Sequence, residues 1–418
     1  MNLIEVADLR SVAALPYEVA QPLPEGASSL FGPEAPFGSA AYAMRDAQAI
    51  SPVIEPPADA IPGWRATGSL WPAERFVVRI PERWNGRLVA AGTPAVRSEF
   101  ANDRIWSDPL LARGYAYVCG NKSQGDSAVL LEGSARLEVG GAIMPRYVTP
   151  DGLRVSFWHH APGNTWERWM REFFEMTQLA QELVAVVHGR LPELTYAVGL
   201  SNGGNQVRHA LEKSDLYAGG IAWNAVLWTL EHNLLRNLPP AIEAMQAGEP
   251  ERLEGLGFPP DVRGLSGGSL YQRNLEVYWL VTAWVHAATL DPEMSIPYGD
   301  VRDPAPAEAW NGRIAGWRLE RAPAVADRIA AYAHTGNLRA KLIDLASEFD
   351  HLLPPKMHFE PYGRMVRAAG KEHLYRSATI ANAQHVDAWS EDSNYPEMRP
   401  GHARAIAAFD ELVTWVEG

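Results

Sequence analysis

Short apolar segments with the pattern of β-strands alternate with helical segments through most of this chain of 418 residues. Most of these segments are apolar on both faces, which is typical of a sheet that is covered on two sides. The predicted strands are 75–80, 87–91, 115–119, 195–199, 220–223, 341–346 and 374–380. Strands that alternate with helices favour a mainly parallel, twisted α/β sheet with right-handed crossovers.

The helical segments between these strands are marked by their periodicity. In residues 167–188, apolar side chains recur at spacings of three and four, and Gly189 follows as a stop signal. Two further helices are predicted over 202–213 and 402–416. Each separates or follows a predicted strand, as an α/β fold requires.

The spacing of these elements divides the chain into three parts. Residues 1–70 are rich in Pro, Ala and Gly and predict an irregular N-terminal arm. Residues 71–228 and 339–418 carry the strands of the α/β core. Residues 229–338 interrupt the rhythm and predict an inserted cap, or lid, with helices over 275–290 and 324–333. Trp279 and Trp284 of the cap are interpreted as packing residues rather than ligand-stacking ones.

Composition narrows the class of protein. Lys and Arg number 37 against 50 Asp and Glu, a net charge of −13 that disfavours nucleic acid and anionic membranes as partners. Cys119 is the single cysteine, so the chain can form no internal disulfide and no Cys-based metal site. Without a membrane-spanning apolar stretch, we expect a soluble protein, either cytoplasmic or secreted with its leader absent from this chain. The oligomeric state stays open.

The most informative motif is a G-x-S-x-G sequence at Gly199, Ser201 and Gly203. It directly follows the strand 195–199 and directly precedes the helix 202–213, which is the context of a nucleophile elbow. Glycine is needed at both outer positions because the turn is so tight that a Cβ would collide with its neighbours. The alternative is a chance match in a glycine-rich chain. The sequence predicts that Ser201 is a nucleophile.

An elbow serine needs an acid and a base, which follow it in the chain order Ser, Asp or Glu, His. Asp350 lies just past the end of strand 341–346 and is the predicted acid. Asp344, inside that strand, and Glu348 are weaker candidates. The alternative role for Asp350 is an N-cap of a helix that starts near Lys356.

His385 is the predicted base, because it lies in the loop between the last strand and the closing helix. His351 stands beside the predicted acid and His373 precedes the last strand, so neither has the chain position expected of the base. His159 and His160 come before the serine, on the wrong side for this order.

An oxyanion hole should combine the N–H after the nucleophile, here Asn202, with an N–H from the loop after an early strand. Strand 87–91 runs into Gly92 and Thr93, which makes the Thr93 N–H the second predicted donor. The alternative is an ordinary turn after a strand. Metal, nucleotide and calcium motifs are absent from the sequence, so neither a metal nor another cofactor is expected.

The order of Ser201, Asp350 and His385 resembles that of the α/β-hydrolase superfamily. Three local motifs are similar to those of the 3-hydroxybutyrate oligomer hydrolases and, more loosely, of tannases and feruloyl esterases. They are Ser201-Asn202-Gly203-Gly204, Asp350 with Pro354, and residues 382–388. The resemblance implies an α/β-hydrolase fold and assigns nucleophile, acid and base to Ser201, Asp350 and His385.

These observations predict a serine esterase that works through an acyl-enzyme on a small-molecule or oligomeric ester, with hydroxyalkanoate oligomers as one substrate class. An esterase for phenolic esters, of the tannin or feruloyl type, or an amidase would use the same three residues. A non-catalytic binding protein on a hydrolase scaffold is the alternative from another class.

Overall fold

The computed structural model describes residues 61–71, 74–94, 99, 102–122, 136–139, 142–145, 147–149, 152–154, 166–291, 294 and 312–418. Eight strands of this part of the chain form one sheet in the order β1-β2-β4-β3-β9-β10-β11-β12. They are β1 (Gly63–Trp71), β2 (Glu74–Pro81), β3 (Arg87–Gly92), β4 (Ala116–Gly120), β9 (Leu194–Leu200), β10 (Gly219–Trp223), β11 (Lys341–Ser347) and β12 (Tyr375–Ile380). Four short strands form two separate hairpins: β5 (Arg136–Val139) with β6 (Ala142–Pro145), and β7 (Tyr147–Thr149) with β8 (Gly152–Arg154).

The sheet is parallel over six neighbouring strands, from β4 through β3, β9, β10 and β11 to β12. At one edge, β2 pairs antiparallel with both β1 and β4, so β2 is the one strand of this sheet that runs against the others. The predicted mainly parallel α/β sheet is therefore confirmed. Because parallel strands share one carboxyl edge, the loops after β3, β9, β10, β11 and β12 all emerge at the same edge.

The helices lie between successive strands, most of them in the interval from β10 to β11 and after β11, and the last one follows β12. They are α1 (Asp108–Leu111), α2 (Trp166–His188), α3 (Asn202–Lys213), α4 (Leu234–Gln246), α5 (Arg252–Gly255), α6 (Leu270–Asn274), α7 (Leu280–Leu290), α8 (Pro323–Ala331), α9 (Pro355–His358), α10 (Glu360–Ala368) and α11 (His402–Glu417). Among the described helices, none combines the length and the apolar character that crossing a bilayer requires.

Helices cover both faces of the sheet, and the strand residues alternate between the two layers. In β9, Ala197 packs on the face that holds α2 and α3, whereas Tyr196 and Val198 pack on the face that holds α11. Buried apolar side chains on both faces explain the near-continuous apolar runs in the sequence.

Strand β1 corrects the expected extent of the irregular arm. Residues 63–70 were expected to belong to that arm, but they lie in β1, which pairs along β2 from Gly63 opposite Pro81 to Trp71 opposite Glu74. The sequence gives no strand signal here, because glycines and a flanking proline have low strand propensity. Pairing with β2 compensates for this low propensity. Residues 1–60 lie outside the described part of the chain.

The interval between β10 and β11 builds a third apolar core. Side chains of α4, α7 and α8 pack there with Trp169 and Met170 of α2 and with Leu352 and Leu353 after β11. Trp279 is fully buried in this core, as a packing residue should be, while the Trp284 side chain lies outside what the structure describes. This helical layer therefore packs against segments at the carboxyl edge of the sheet.

Candidate active site

Ser201 occupies a strained turn between β9 and α3. Its φ of 61° and ψ of −121° lie outside the regions that residues with a side chain normally adopt. The Ser201 N–H donates a hydrogen bond to the Trp223 carbonyl at 2.9 Å, and its carbonyl accepts from Asn205 at 3.1 Å. The strand-to-helix elbow predicted from the sequence is therefore present, with the serine at its apex.

The glycines around this turn are required by close backbone packing. A Cβ on Gly199 would lie under 3.0 Å from the backbone of Gly203, and a Cβ on Gly203 would overlap the carbonyl of Gly92. The first turn of α3 thus sits directly against the end of β3. This contact brings the loop after β3 beside Ser201.

Asp350 and His385 form a buried pair. His385 Nδ1 lies 2.7 Å from Asp350 Oδ2, and both side chains are at most 4% exposed. The other carboxylate oxygen, Asp350 Oδ1, accepts the N–H groups of Leu352 at 2.9 Å and Leu353 at 2.7 Å. Because the carboxylate can only accept, His385 Nδ1 carries a proton, and in the neutral imidazole Nε2 keeps a lone pair.

The other two carboxylates that the sequence offers have different partners. Asp344 accepts a bidentate pair from Arg208 at 2.9 and 2.8 Å and a hydrogen bond from the Tyr375 hydroxyl. Glu348 accepts the N–H of Asn382 at 2.9 Å. Of the three candidates, Asp350 is the one that contacts His385.

The alternative role for Asp350, an N-cap near Lys356, is not what the structure has. Helix α9 begins at Pro355, its N-cap residue is Pro354, and no side chain caps it. Asp350 lies further upstream and accepts the N–H groups of Leu352 and Leu353, so its carboxylate orders the loop before α9.

The remaining histidines considered from the sequence lie elsewhere. His351 Nε2 is 3.0 Å from the Pro260 carbonyl, and its Nδ1 contacts the side chain of Gln384. His373 lies in the 3₁₀ turn Glu372–Leu374. His159 and His160 lie outside the described residues.

Ser201 and His385 are held to consecutive residues at the end of β10. Ser201 N–H donates to the Trp223 carbonyl, and Asn224 Nδ2 donates to the His385 carbonyl at 2.9 Å. Both residues are described, and no direct hydrogen bond joins Ser201 Oγ to His385 Nε2. In enzymes without bound substrate, the hydrogen bond between a nucleophile and its base is often long and tightens only when substrate binds.

The two predicted oxyanion donors lie on either side of the contact between β3 and α3. Asn202 is the first residue of α3, so its N–H belongs to the helix turn that has no intrahelical acceptor. The Thr93 N–H donates to Gln206 Oε1 at 3.2 Å, a contact between side chain and backbone that sequence reasoning missed. Both donor roles remain predictions.

A residue of the helical layer also reaches the elbow. His286 of α7 is buried, and its Nε2 lies 3.2 Å from Asn202 Nδ2. Burial lowers the pKa of His286 to about 4, so the imidazole is neutral at pH 7. Inside an apolar helical stretch, His286 carries no sequence signal that separates it from a packing residue.

No metal centre is formed by the part of the chain that the structure describes. It contains no group of three or more His, Cys, Asp or Glu side chains placed to hold a metal ion.

Comparison with known proteins identifies the fold. The sequence matches no family model and no curated protein. Among solved structures, it is similar to feruloyl esterase B from Aspergillus oryzae, with a TM-score of 0.50, 12% identity, and coverage of 87% of this chain and 82% of that one. It is also similar to an esterase from Aspergillus oryzae, with a TM-score of 0.50, 12% identity, and coverage of 86% and 80%. The chain has the α/β-hydrolase fold.

Proposed function

We propose that this protein is a serine hydrolase that cleaves carboxylic esters, with Ser201 as nucleophile, His385 as base and Asp350 as acid. One observation carries the proposal. A strained serine stands at the turn after β9, and a buried Asp350–His385 pair joins the loops after β11 and β12, at the same edge of one parallel sheet. The α/β-hydrolase fold uses this arrangement for acyl transfer.

The proposed reaction starts with a proton on His385 Nδ1 and a lone pair on His385 Nε2. His385 Nε2 accepts the proton of Ser201 as Oγ bonds to the ester carbonyl carbon, and Asp350 stabilises the imidazolium. His385 then returns the proton to the leaving alcohol, and an acyl-enzyme remains on Ser201. Water, deprotonated by the same imidazole, attacks the acyl-enzyme, releases the carboxylic acid and restores the Ser201 hydroxyl.

The N–H groups of Asn202 and Thr93 are the proposed donors to the oxyanion. The Asn202 N–H stands at the N-terminus of α3, where the helix dipole also favours negative charge. For Thr93, the oxyanion would replace Gln206 Oε1, and an anionic oxygen is a stronger acceptor than an amide oxygen. Loss of one donor typically lowers the rate by about 10²- to 10³-fold.

The first test is covalent labelling. A fluorophosphonate should label the protein once, at Ser201, and the label should disappear in Ser201→Ala. Ser266→Ala, which removes an exposed serine, is the matched control and should label like the unchanged protein. A folded protein that takes no label would contradict the proposal and favour the binding protein on a hydrolase scaffold.

The substrate class needs a separate experiment. The motifs around Ser201, Asp350 and His385 support 3-hydroxyacid oligomers as substrates, while the similarity to a structure named feruloyl esterase B makes phenolic esters the second candidate. Turnover of 3-hydroxyacid oligomers, p-nitrophenyl esters, phenolic methyl esters and the matching amides should be compared. Turnover that rises with oligomer length favours the first class, preference for feruloyl or galloyl groups the second, and faster amide turnover an amidase.

No step of this mechanism uses a metal ion. We therefore expect ester turnover to survive dialysis against EDTA unchanged. Activity that is lost on dialysis and restored by a divalent cation would contradict this mechanism.

A further inference from the structure

One continuous helical segment contacts all three parts of the candidate site: the elbow after β9 and the loops after β11 and β12. It consists of a π-helical turn, Leu275–Trp279, followed by α7. Trp279 Nε1 donates to the His351 carbonyl, beside Asp350, at 2.7 Å. The Tyr278 ring lies 6.5 Å from the His385 ring, and π-helical turns are frequent at functional sites.

The third contact of this segment is the hydrogen bond between His286 and Asn202. His286 Nδ1 lies 2.8 Å from the Thr282 carbonyl, which can only accept, so the ring proton is on Nδ1. In the neutral ring, Nε2 is then an acceptor. The Asn202 carboxamide presents both its atoms to this nitrogen, Nδ2 at 3.2 Å and Oδ1 at 3.3 Å. Because Nε2 has no proton for Oδ1 to accept, the hydrogen bond is the one that Asn202 Nδ2–H donates.

His286 is fixed firmly enough to hold its partner in place. Its ring packs against two buried tryptophans, Trp169 at 6.1 Å and Trp228 at 5.5 Å between ring centroids. At the end of α7, Arg328 donates to the Leu290 carbonyl at 2.8 Å. The imidazole thus has little freedom to follow a movement of Asn202.

We propose that His286 is a positioning residue, which holds the Asn202 carboxamide and thereby the Asn202 backbone N–H in the orientation that the oxyanion needs. The inference rests on the proposed function. The side chain and the N–H of Asn202 share one Cα, so restraining the carboxamide restrains the backbone donor. Small displacements of such groups reduce rates strongly, because the oxyanion bond depends on distance and direction.

His286 is a positioning residue and not a second base. A base in a serine hydrolase is oriented by a carboxylate that stabilises the imidazolium. His385 has Asp350 in this role, whereas His286 Nδ1 faces only the backbone carbonyl of Thr282. Burial without a carboxylate partner disfavours the charged form of His286.

The test compares two variants with different hydrogen-bonding capacity. His286→Phe keeps a ring between Trp169 and Trp228 but removes the acceptor, while His286→Gln can supply an oxygen to Asn202. With p-nitrophenyl esters and active sites counted by fluorophosphonate, we expect His286→Phe to lower kcat about 10-fold with KM little changed. His286→Gln should recover most of the loss.

A double-mutant cycle with Asn202→Ala separates positioning from a general effect on packing. Asn202→Ala keeps the backbone N–H but removes the carboxamide, so His286→Phe should cause no further loss of kcat in that background. His402→Gln, which changes a histidine of α11 that bonds the Ile105 carbonyl, is the control and should leave kcat per active site unchanged.

The possible failures are distinguishable. If the unchanged protein takes no label at Ser201, the proposed function fails and this inference fails with it. If labelling is intact but His286→Phe keeps the full kcat, or lowers it equally in the Asn202→Ala background, only the positioning role of His286 is overturned. Counting active sites removes any contribution from unfolded protein.

Discussion

Replacing Asp350 by Asn tests the proposed triad most sharply, because the structure dictates how the amide would be oriented. Asp350 Oδ1 accepts two backbone N–H groups, from Leu352 and Leu353, while Oδ2 faces His385 Nδ1 at 2.7 Å. In Asp350→Asn, the amide oxygen must stay with the two N–H donors. The NH₂ group then points at His385 Nδ1.

This orientation forces the wrong tautomer of the imidazole. An NH₂ donor at Nδ1 requires Nδ1 to be an acceptor, so the His385 proton moves to Nε2, which then cannot take the Ser201 proton. Tautomer reversal of this kind in a serine triad lowers kcat by about 10⁴-fold. At about 1.4 kcal/mol per factor of ten, the activation barrier rises by about 5.5 kcal/mol.

The assay is steady-state turnover of p-nitrophenyl esters, with the folded fraction followed by circular dichroism. Glu348→Gln is the matched control, since Glu348 lies in the same loop and only accepts the Asn382 N–H, which an amide oxygen can still do. We expect this control to stay within a few-fold of the unchanged protein. If folded Asp350→Asn kept more than a tenth of kcat, the assignment of Asp350 as the acid would be wrong.

Two further predictions concern stability. Gly203→Ala should destabilise the fold by about 3 kcal/mol or more, because its Cβ would overlap the Gly92 carbonyl. Gly255→Ala is the control and should fold normally, since a Cβ on Gly255 meets no atom within 4 Å. An unchanged urea midpoint for Gly203→Ala would contradict the packing argument. Burial lowers the pKa of His286 to about 4 and that of His334 to about 3, against 6.5 in the unfolded chain. The unfolded state therefore binds protons first, and stability should be full above pH 6.5 and fall towards pH 4 by up to about 1.4 kcal/mol per pH unit for each histidine. Urea midpoints measured from pH 8 to 4 check this, and His286→Gln should show a shallower fall.

Much of the architecture was predictable from the sequence because its signals are local. Apolar runs and helical periodicity located the central strands and the long helices, since both depend on residues that are neighbours along the chain. The elbow at Ser201 is also a local feature, set by a strand, two glycines and a helix in direct succession. Strand β1 was missed because its stability comes from pairing with β2 rather than from its own residues.

The sequence alone determined the order of the proposed nucleophile, acid and base along the chain, and the class of turn that carries the serine. Only the tertiary structure decided which carboxylate contacts His385, because Asp344, Glu348 and Asp350 share one short stretch and differ only in their distant partners. The tertiary structure also brings His286 into contact with Asn202, which lies 84 positions earlier in the chain. Such contacts arise from how the helical layer packs on the sheet edge, and no local pattern of residues encodes that packing.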